Sequence, residues 1–166
     1  FQTALQFVGG DKQRTIVHQP AMTASLEKNL NIERDLRLAL KKQEFFLEYQ
    51  PQICLKNHTL VGLEALVRWR KSDGVVVPPF DFIPIAENSG LIVVLGEWVF
   101  RESCRQLKEW QQLGGLPSAM PAMGINLSPR QFRHSGFLSS VIHAIKETNV
   151  DPNLLDLEPQ ASTNLS

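Results

Sequence analysis

Glu64 and Arg68 lie four residues apart in an otherwise apolar stretch of the chain. Side chains alternate between the two faces of a β-strand, so this spacing puts both charged groups on one face, together with Leu66. A structural strand with one solvated face would alternate with several polar residues, and the pattern therefore favours a strand whose polar face lines an enclosed site. The opposite face carries only apolar residues, which are Val61, Leu63, Ala65 and Val67.

Two further oxygen-bearing side chains, Asn126 and Glu158, stand at the ends of predicted strands. Parallel α/β barrels carry their reactive groups at the carboxyl ends of strands, and Glu64, Asn126 and Glu158 form a set of oxygen donors. Magnesium and manganese take such ligands, and a cation would offset the cost of an enclosed acid. Taken alone, each acid is explained more simply by an ordinary ion pair or a solvated strand end.

The elements that would position these residues alternate between strand and helix. The apolar spacing predicts helices over residues 23–42, over 82–87, after Gly90 as far as Gly114, and over 137–148. Strands are predicted over 44–50, 60–68, 123–127 and 154–158. The alternation predicts a parallel α/β arrangement. The short turn at 56–58 indicates that the first two strands are antiparallel, since a parallel pair needs a longer crossover.

Local signals refine three of these elements. Ser128 is followed by Pro129 and, three residues on, by Gln131, a capping box that places Asn126 near the carboxyl end of its strand. Pro51 is expected to end the first strand or to confine it to a position that needs no amide donor. The last helix is expected to turn its apolar side chains inward, namely Leu138, Val141, Ile142 and Ile145.

Composition limits the classes of protein that fit the chain. Its 166 residues are 43% hydrophobic and carry a formal net charge of zero. Nothing global attracts DNA, RNA or an anionic membrane, so phosphate would have to be bound by local groups such as Arg68. Two cysteines make no disulfide framework, which favours a reducing cytoplasm, including the cytosolic part of a larger membrane-bound protein. The chain begins without methionine, so we expect it to be a piece of something longer.

Five segments of the chain resemble the successive signatures of the EAL domain, the bacterial cyclic di-GMP phosphodiesterase. They are YQP at 49–51, EALVRW at 64–69, PPFDFIPIAENSGLI at 78–92, LGEWVF at 95–100 and INLSPRQF at 125–132. Their order and spacing match over roughly residues 45–158. The resemblance implies an α/β fold, a partial (β/α) TIM-type barrel whose first strand is antiparallel, preceded by an N-terminal helix.

The resemblance also implies a role for each candidate site residue. The family reaction is metal-assisted attack of water on one phosphodiester of cyclic di-GMP, which gives pGpG. Arg68 suits phosphate physically because a guanidinium presents a fork of donors. The metal, Mg²⁺ or Mn²⁺, would be bound by Glu64, Asn126 and Glu158. Glu64 would also be catalytic, and cyclic di-GMP would be contacted by Gln50, Leu66 and Arg68.

The likeness to the family changes after Glu158. Pro159 is expected to interrupt the strand, and Ala161 stands where the family has a second glutamate. The later family motifs, with paired aspartates, a catalytic lysine, another glutamate and a glutamine, do not follow. We therefore expect a connector over 1–22 that faintly resembles the end of a GGDEF domain, a linker helix over 23–43, an incomplete EAL domain over 44–158 and a non-family tail over 159–166.

Three hypotheses about function follow. The first is an EAL phosphodiesterase whose visible portion is inactive alone, and the second is a non-catalytic cyclic di-GMP receptor. The third is an assembly element, because an open half-barrel exposes strand edges and favours a homodimer. The helix over 23–42 fits either a packed element or a signalling contact to an upstream sensory or GGDEF domain. Its apolar stripe includes Leu26, Leu30, Ile32 and Leu36.

Overall fold

The computed structural model describes residues 20–113 and 122–160, with side chains from residue 26 onwards. In chain order the helices and strands are α1 Pro20–Lys42, β1 Phe45–Ile53, β2 Leu60–Arg70, β3 Val76–Val77, α2 Pro79–Ser89, α3 Leu91–Leu113, β4 Ala122–Leu127, α4 Pro129–Phe132, α5 Phe137–Thr148 and β5 Leu155–Pro159. A short 3-10 turn, Pro152–Leu154, precedes β5.

The strands form one five-stranded sheet in the order β1-β2-β4-β5, with the short β3 pairing to β2. β1 and β2 are antiparallel, whereas β2, β4 and β5 are parallel. Helices α2 and α3 form the crossover from β2 to β4, and α4 and α5 form the one from β4 to β5, as parallel neighbours require. The expected partial TIM-type barrel with one reversed strand and a preceding helix is therefore confirmed.

The register of the sheet gathers the polar side chains on one face. Gln50 lies opposite Glu64 across the β1–β2 pair. Glu64 pairs with Gly124 of β4, and Asn126 pairs with Glu158 of β5. Residues paired across strands point to the same face, so the candidate residues share one surface. The other face is buried under the helices through Leu63, Ala65, Met123 and Ile125.

An aromatic cluster closes the core where the start of β1, the end of β2 and α2 meet. Trp69 and Phe82 are both fully buried, and their rings meet edge to face at 5.7 Å. Phe45 lies within 6.0 Å of Trp69, of Phe82 and of Trp98. Such aromatic pairs contribute roughly 0.5–1.5 kcal/mol each beyond the area they bury. The cluster thus anchors the end of the strand that carries Glu64 and Arg68.

Helix α1 packs against this core through its carboxy-terminal half. Leu36 and Ala39 are buried, and Lys71 beyond β2 donates to Asp35 at 2.7 Å. Leu26 and Leu30, which belong to the predicted inward stripe, are instead 62% and 66% exposed. The structure therefore favours a packed helix, with only part of the predicted stripe facing inward.

Several predicted boundaries at the start of the chain need correction. β1 continues through Pro51 to Ile53, so the prediction that Pro51 ends the strand is wrong. The alternative holds, because within the described residues β1 is an edge strand and one side of it needs no amide donor. Helix α1 begins at Pro20, inside the predicted connector 1–22, and the rest of that connector lies outside the described residues.

Pro159 does not interrupt the last strand as expected. β5 includes Pro159, and the Gln160 amide beyond it donates to the Leu127 carbonyl at 2.8 Å. Successive amides of a strand point to opposite sides, so the amide position of Pro159 points away from β4 and no ladder bond is lost.

The helices also differ from the prediction in their length and in which side chains point towards the core. Helix α2 spans Pro79–Ser89, longer than the predicted 82–87, and β3 was not predicted. Helix α3 ends at Leu113, and the predicted stop at Gly114 lies outside the described residues. Leu138 and Ile142 of α5 are 66% and 43% exposed, so their predicted inward facing is wrong. Val141 is buried and Ile145 packs against the core, as predicted, and Ala144, which was not predicted, is also buried.

Within residues 20–113 and 122–160, no single helix is long and apolar enough to cross a membrane. Helices α2 and α3 meet such a length and composition criterion only as a pair, across a bend of 119°.

Candidate functional site

An acid and an amide meet at the centre of the polar face. The Asn126 side-chain nitrogen (Nδ2) donates to Glu64 Oε1 at 2.7 Å. The two residues come from the neighbouring parallel strands β2 and β4, and both side chains are half-buried. Residues that are 62 positions apart in sequence are thereby brought together, as the strand-end hypothesis requires.

Glu158 approaches this pair across a glycine. A Cβ added to Gly124 would lie 2.6 Å from Glu158 Oε1, closer than real Cβ contacts come. Gly124 is the residue of β4 that pairs with Glu64, so the Glu158 carboxylate occupies space beside Glu64 that a larger residue would fill. The absent side chain of Gly124 makes room for a second carboxylate at the site.

The donor set of this face fits a hard divalent cation. It combines the carboxylates of Glu64 and Glu158 with the amide of Asn126, and a cation would offset the repulsion between two acids. Within the described residues there is no group of three or more His, Cys, Asp or Glu side chains that could hold a metal ion. Two carboxylates alone do not complete a cation site, and the side-chain oxygen of Asn126 is a further candidate ligand on this face. The oxygen chemistry of these residues fits a hard divalent cation, and the missing side chain of Gly124 lets Glu158 lie beside Glu64.

Arg68 stands on the same face, nearer the carboxyl end of β2. Its Nε donates to Glu48 Oε2 at 2.7 Å, and its Nη1 donates to the Val67 carbonyl at 3.1 Å. Among the described residues Nη2 makes no hydrogen bond, so part of the fork remains available for an anion. Gln50 is exposed on β1, and Leu66 is half-buried between Glu64 and Arg68.

A cavity of about 280 Å³ opens beside these strand ends, between them and helices α2 and α3. Its inner wall is largely apolar and includes Ile83 and Leu95. Arg68, Asn126 and Gln160 supply polar groups to its lining. A mostly apolar hollow with a few convergent polar groups is typical of small-molecule sites.

The predicted capping box fixes the turn that follows Asn126, and the structure confirms it. The Ser128 hydroxyl accepts from the Arg130 amide, and the Gln131 side chain accepts from the Ser128 amide at 2.9 Å. Gln131 packs onto α3 at Gly96, where any Cβ would overlap its side-chain amide. The Arg130 guanidinium donates to the Asn88 carbonyl at 3.2 Å, which ties α4 to the end of α2. The strand end is therefore held from two sides.

Sequence reasoning missed two residues of this face, Gly124 and Gln160. Gln160 Nε2 donates to Asn126 Oδ1, so it belongs to the same hydrogen-bonded group. The period of two from Glu158 would have placed Gln160 on this face, but Pro159 was expected to interrupt the strand. The same two-residue spacing from Asn126 places Gly124 on this face as well.

The chain matches known families and structures over most of its described length. A family model described as "EAL domain" matches residues 33–164. The bifunctional diguanylate cyclase/cyclic di-GMP phosphodiesterase MucR of Pseudomonas aeruginosa is 38% identical over 145 residues. That match covers 87% of this chain and 21% of MucR, so the chain spans about a fifth of that relative.

Two solved structures resemble the fold closely. The PaMucR phosphodiesterase in its cyclic di-GMP complex has a TM-score of 0.70 and 38% identity, covering 76% of this chain and 50% of that one. The cGMP-bound form of the EAL enzyme Bd1971 has a TM-score of 0.73 and 30% identity, covering 84% of this chain and 39% of the other.

Proposed function

The chain belongs to the EAL domain family, and from that premise we propose that its strands supply part of a site that binds and hydrolyses cyclic di-GMP. The observation that carries the proposal is the contact between Glu64 and Asn126 on the face that also bears Arg68. The related MucR phosphodiesterase is described in complex with cyclic di-GMP, which supports the same ligand for this chain. The product would be linear pGpG in a bacterial second-messenger pathway.

The roles of the residues follow from their chemistry. Glu64, Asn126 and Glu158 would hold Mg²⁺ or Mn²⁺, which when bound activates water and polarises the phosphoryl group. Arg68 would bind a phosphate oxygen through the part of its fork that Glu48 does not occupy. Leu66 would contact the nucleotide through its apolar side chain, and Gln50 through its amide on the exposed strand. Glu64, at the centre of the face, would hold the reacting groups in position.

The domain organisation is part of the proposal. Residues 44–158 would form the EAL portion and residues 23–43 a helix that joins it to an upstream sensory or GGDEF domain in the cytoplasm. MucR, which is named as both cyclase and phosphodiesterase, gives a precedent for that pairing. The ion pair between Asp35 and Lys71 supports a mechanical link between the helix and β2.

A non-catalytic cyclic di-GMP receptor is the second candidate, and one contact favours it. Gln160 donates to the Asn126 oxygen that a cation would need, so nucleotide could bind at Arg68 while the metal site stays blocked. Turnover and binding must therefore be measured separately.

Calorimetry with cyclic di-GMP in the presence of Mn²⁺, followed by chromatography for pGpG, tests the proposal. We expect Arg68→Ala to weaken nucleotide binding by roughly 10- to 100-fold, because it removes charge-assisted hydrogen bonds to phosphate. The matched control is Arg105→Ala, which removes an exposed guanidinium on α3 and should leave the affinity unchanged.

The outcomes separate the two candidates. Formation of pGpG that disappears in Glu64→Ala supports the phosphodiesterase. Nucleotide binding without pGpG supports the nucleotide site and agrees with the receptor, and also with a phosphodiesterase whose visible portion is inactive alone. If Arg68→Ala binds cyclic di-GMP as tightly as the unaltered chain, the proposed site is wrong.

A further inference from the structure

We propose that Gln160 competes with a divalent cation for Asn126 and so restrains metal binding by this chain. The inference rests on the proposed role of Asn126 as a metal ligand. It goes beyond that role by assigning a function to Gln160, which belongs to none of the five signature segments at 49–51, 64–69, 78–92, 95–100 and 125–132.

The backbone places Gln160 at the site. Its amide donates to the Leu127 carbonyl at 2.8 Å, so pairing between β4 and β5 extends to this residue. Gln160 follows Glu158 by two positions and therefore points to the same face of the sheet. Its side chain lines the cavity together with Arg68 and Asn126.

The side chains form a directed chain of hydrogen bonds. Gln160 Nε2 donates to Asn126 Oδ1, and Asn126 Nδ2 donates in turn to Glu64 Oε1 at 2.7 Å. A side-chain amide has one oxygen and one nitrogen, so this arrangement turns the nitrogen of Asn126 towards Glu64. Linked hydrogen bonds polarise and strengthen one another.

A cation shared by Glu64 and Asn126 needs the opposite orientation of the amide, because a metal binds its oxygen and not its nitrogen. Turning the Asn126 amide breaks its bond to Glu64 and offers its nitrogen to the donor group of Gln160. Both contacts must therefore be lost before the metal is bound in that way. Binding through the present orientation would instead require the cation to take the oxygen that Gln160 occupies.

Pro159 helps to keep Gln160 in its position beside Asn126. Its ring fixes φ near −65°, which limits the conformations of the residue that links Glu158 to Gln160. Its missing amide hydrogen points away from β4, so the pairing of Gln160 with Leu127 is unaffected. The proposed ligand Glu158 and its competitor thus sit on one short strand.

Titration of the full chain with Mn²⁺, with free Mn²⁺ followed by electron paramagnetic resonance, tests the inference without nucleotide or turnover. We expect Gln160→Ala to bind Mn²⁺ about two- to tenfold more tightly, the change that corresponds to one net hydrogen bond. Gln112→Ala is the matched control, since Gln112 is exposed at the end of α3 that leads to the opposite end of β4. Its Mn²⁺ affinity should equal that of the unaltered chain.

A second comparison establishes that Gln160 acts through Asn126. In an Asn126→Ala background, Gln160→Ala should leave Mn²⁺ affinity unchanged. Equal affinity of Gln160→Ala and the unaltered chain overturns the inference, as does the absence of Mn²⁺ binding by both. If Glu64→Ala weakens Mn²⁺ binding while Gln160→Ala has no effect, only the restraint is wrong. If Glu64→Ala has no effect, the proposed metal site itself fails.

Discussion

At the scale of single residues, the candidate site depends on the absence of a side chain at Gly124. Glu64 and Glu158 come from the strands on either side of β4, and the Glu158 side chain reaches over Gly124, the residue of β4 that pairs with Glu64. The nearest backbone atom to an added Cβ is the Leu63 carbonyl oxygen at 3.6 Å, an ordinary contact. The tight contact is with the end of the flexible Glu158 side chain alone. Metal binding and folding stability should therefore respond differently to a change at this position.

We expect Gly124→Ala to weaken Mn²⁺ binding while leaving the thermal unfolding temperature nearly unchanged. The new methyl group would push the Glu158 carboxylate away from Glu64, and alanine also reduces the conformational freedom of the unfolded chain. Mn²⁺ titration and thermal unfolding measure the two effects. Gly136→Ala is the control, because a Cβ there meets its nearest atoms only at 3.4 Å. A large loss of stability in Gly124→Ala would contradict the explanation.

Glu44 connects the start of β1 to the end of β2 and makes stability depend on pH. Hydrogen bonds from the Ser72 hydroxyl and then from the Trp69 indole, the latter at 3.1 Å, hold the pKa of the Glu44 carboxyl below its ordinary value. A lowered pKa means that the folded state favours the ionised form. The stabilisation that ionised Glu44 gives the folded state is complete above the ordinary pKa of a glutamate, about 4.3. It is lost as the pH falls through the lower pKa that Glu44 has in the folded state.

We therefore expect Glu44→Gln to be less stable than the unaltered chain from neutral pH down to about pH 5, with the difference shrinking below about pH 4. Urea denaturation followed by tryptophan fluorescence at a series of pH values measures it. Glu27→Gln removes an exposed carboxylate of α1 and serves as control. A difference that stays constant down to the lowest pH would show that the carboxylate's charge is not involved.

At the scale of elements, α1 behaves as two segments with different surroundings. Ile32, Leu36 and Ala39 are buried, whereas Leu26 and Leu30 are exposed. Lys28 reaches Asp81 of α2 at 2.8 Å, and Asp35 reaches Lys71 at 2.7 Å. Ion pairs near the surface contribute little free energy, so the buried side chains supply most of the packing free energy of α1 while the ion pairs link it to α2 and β2.

We expect Leu36→Ala to lower the free energy of unfolding by about 2–5 kcal/mol, because it leaves a cavity under α1. Leu30→Ala makes the same chemical change at a residue that is 66% exposed, and its effect should stay within about 0.5 kcal/mol. Chemical denaturation of both variants gives the comparison. Equal effects would indicate that α1 is a free linker and not part of the folded core.

At the scale of the whole molecule, the sheet has one face under the helices and one face that presents the site. The two-residue period of β2 predicted this division for most of the strand, since Leu63 and Ala65 are buried and Glu64 and Arg68 share the other face. Val61, at the start of the predicted apolar face, is instead 55% exposed. The capping box at Ser128 likewise predicted where β4 ends. Both predictions rest on local sequence patterns. Such patterns predict the structure correctly when the tertiary contacts favour the same local conformation.

Other features depend on contacts that no local pattern contains. Periodicity predicted α5 but could not tell that Leu138 and Ile142 would be left uncovered. The proline rule predicted a break at Pro159, yet the outcome depends on which side of β5 has a partner strand. Gln160 was missed for that reason. The register that pairs Glu64 with Gly124 joins distant segments and is likewise set by the assembled sheet.

Trp69 follows Arg68 directly but points to the opposite, buried face, with its indole bonded to Glu44. Its fluorescence can therefore report on the buried side of the strand whose other face carries Arg68. With Trp98 and Trp110 replaced by phenylalanine, a change in Trp69 emission when a molecule docks at Arg68 would report an effect transmitted to the buried side of β2.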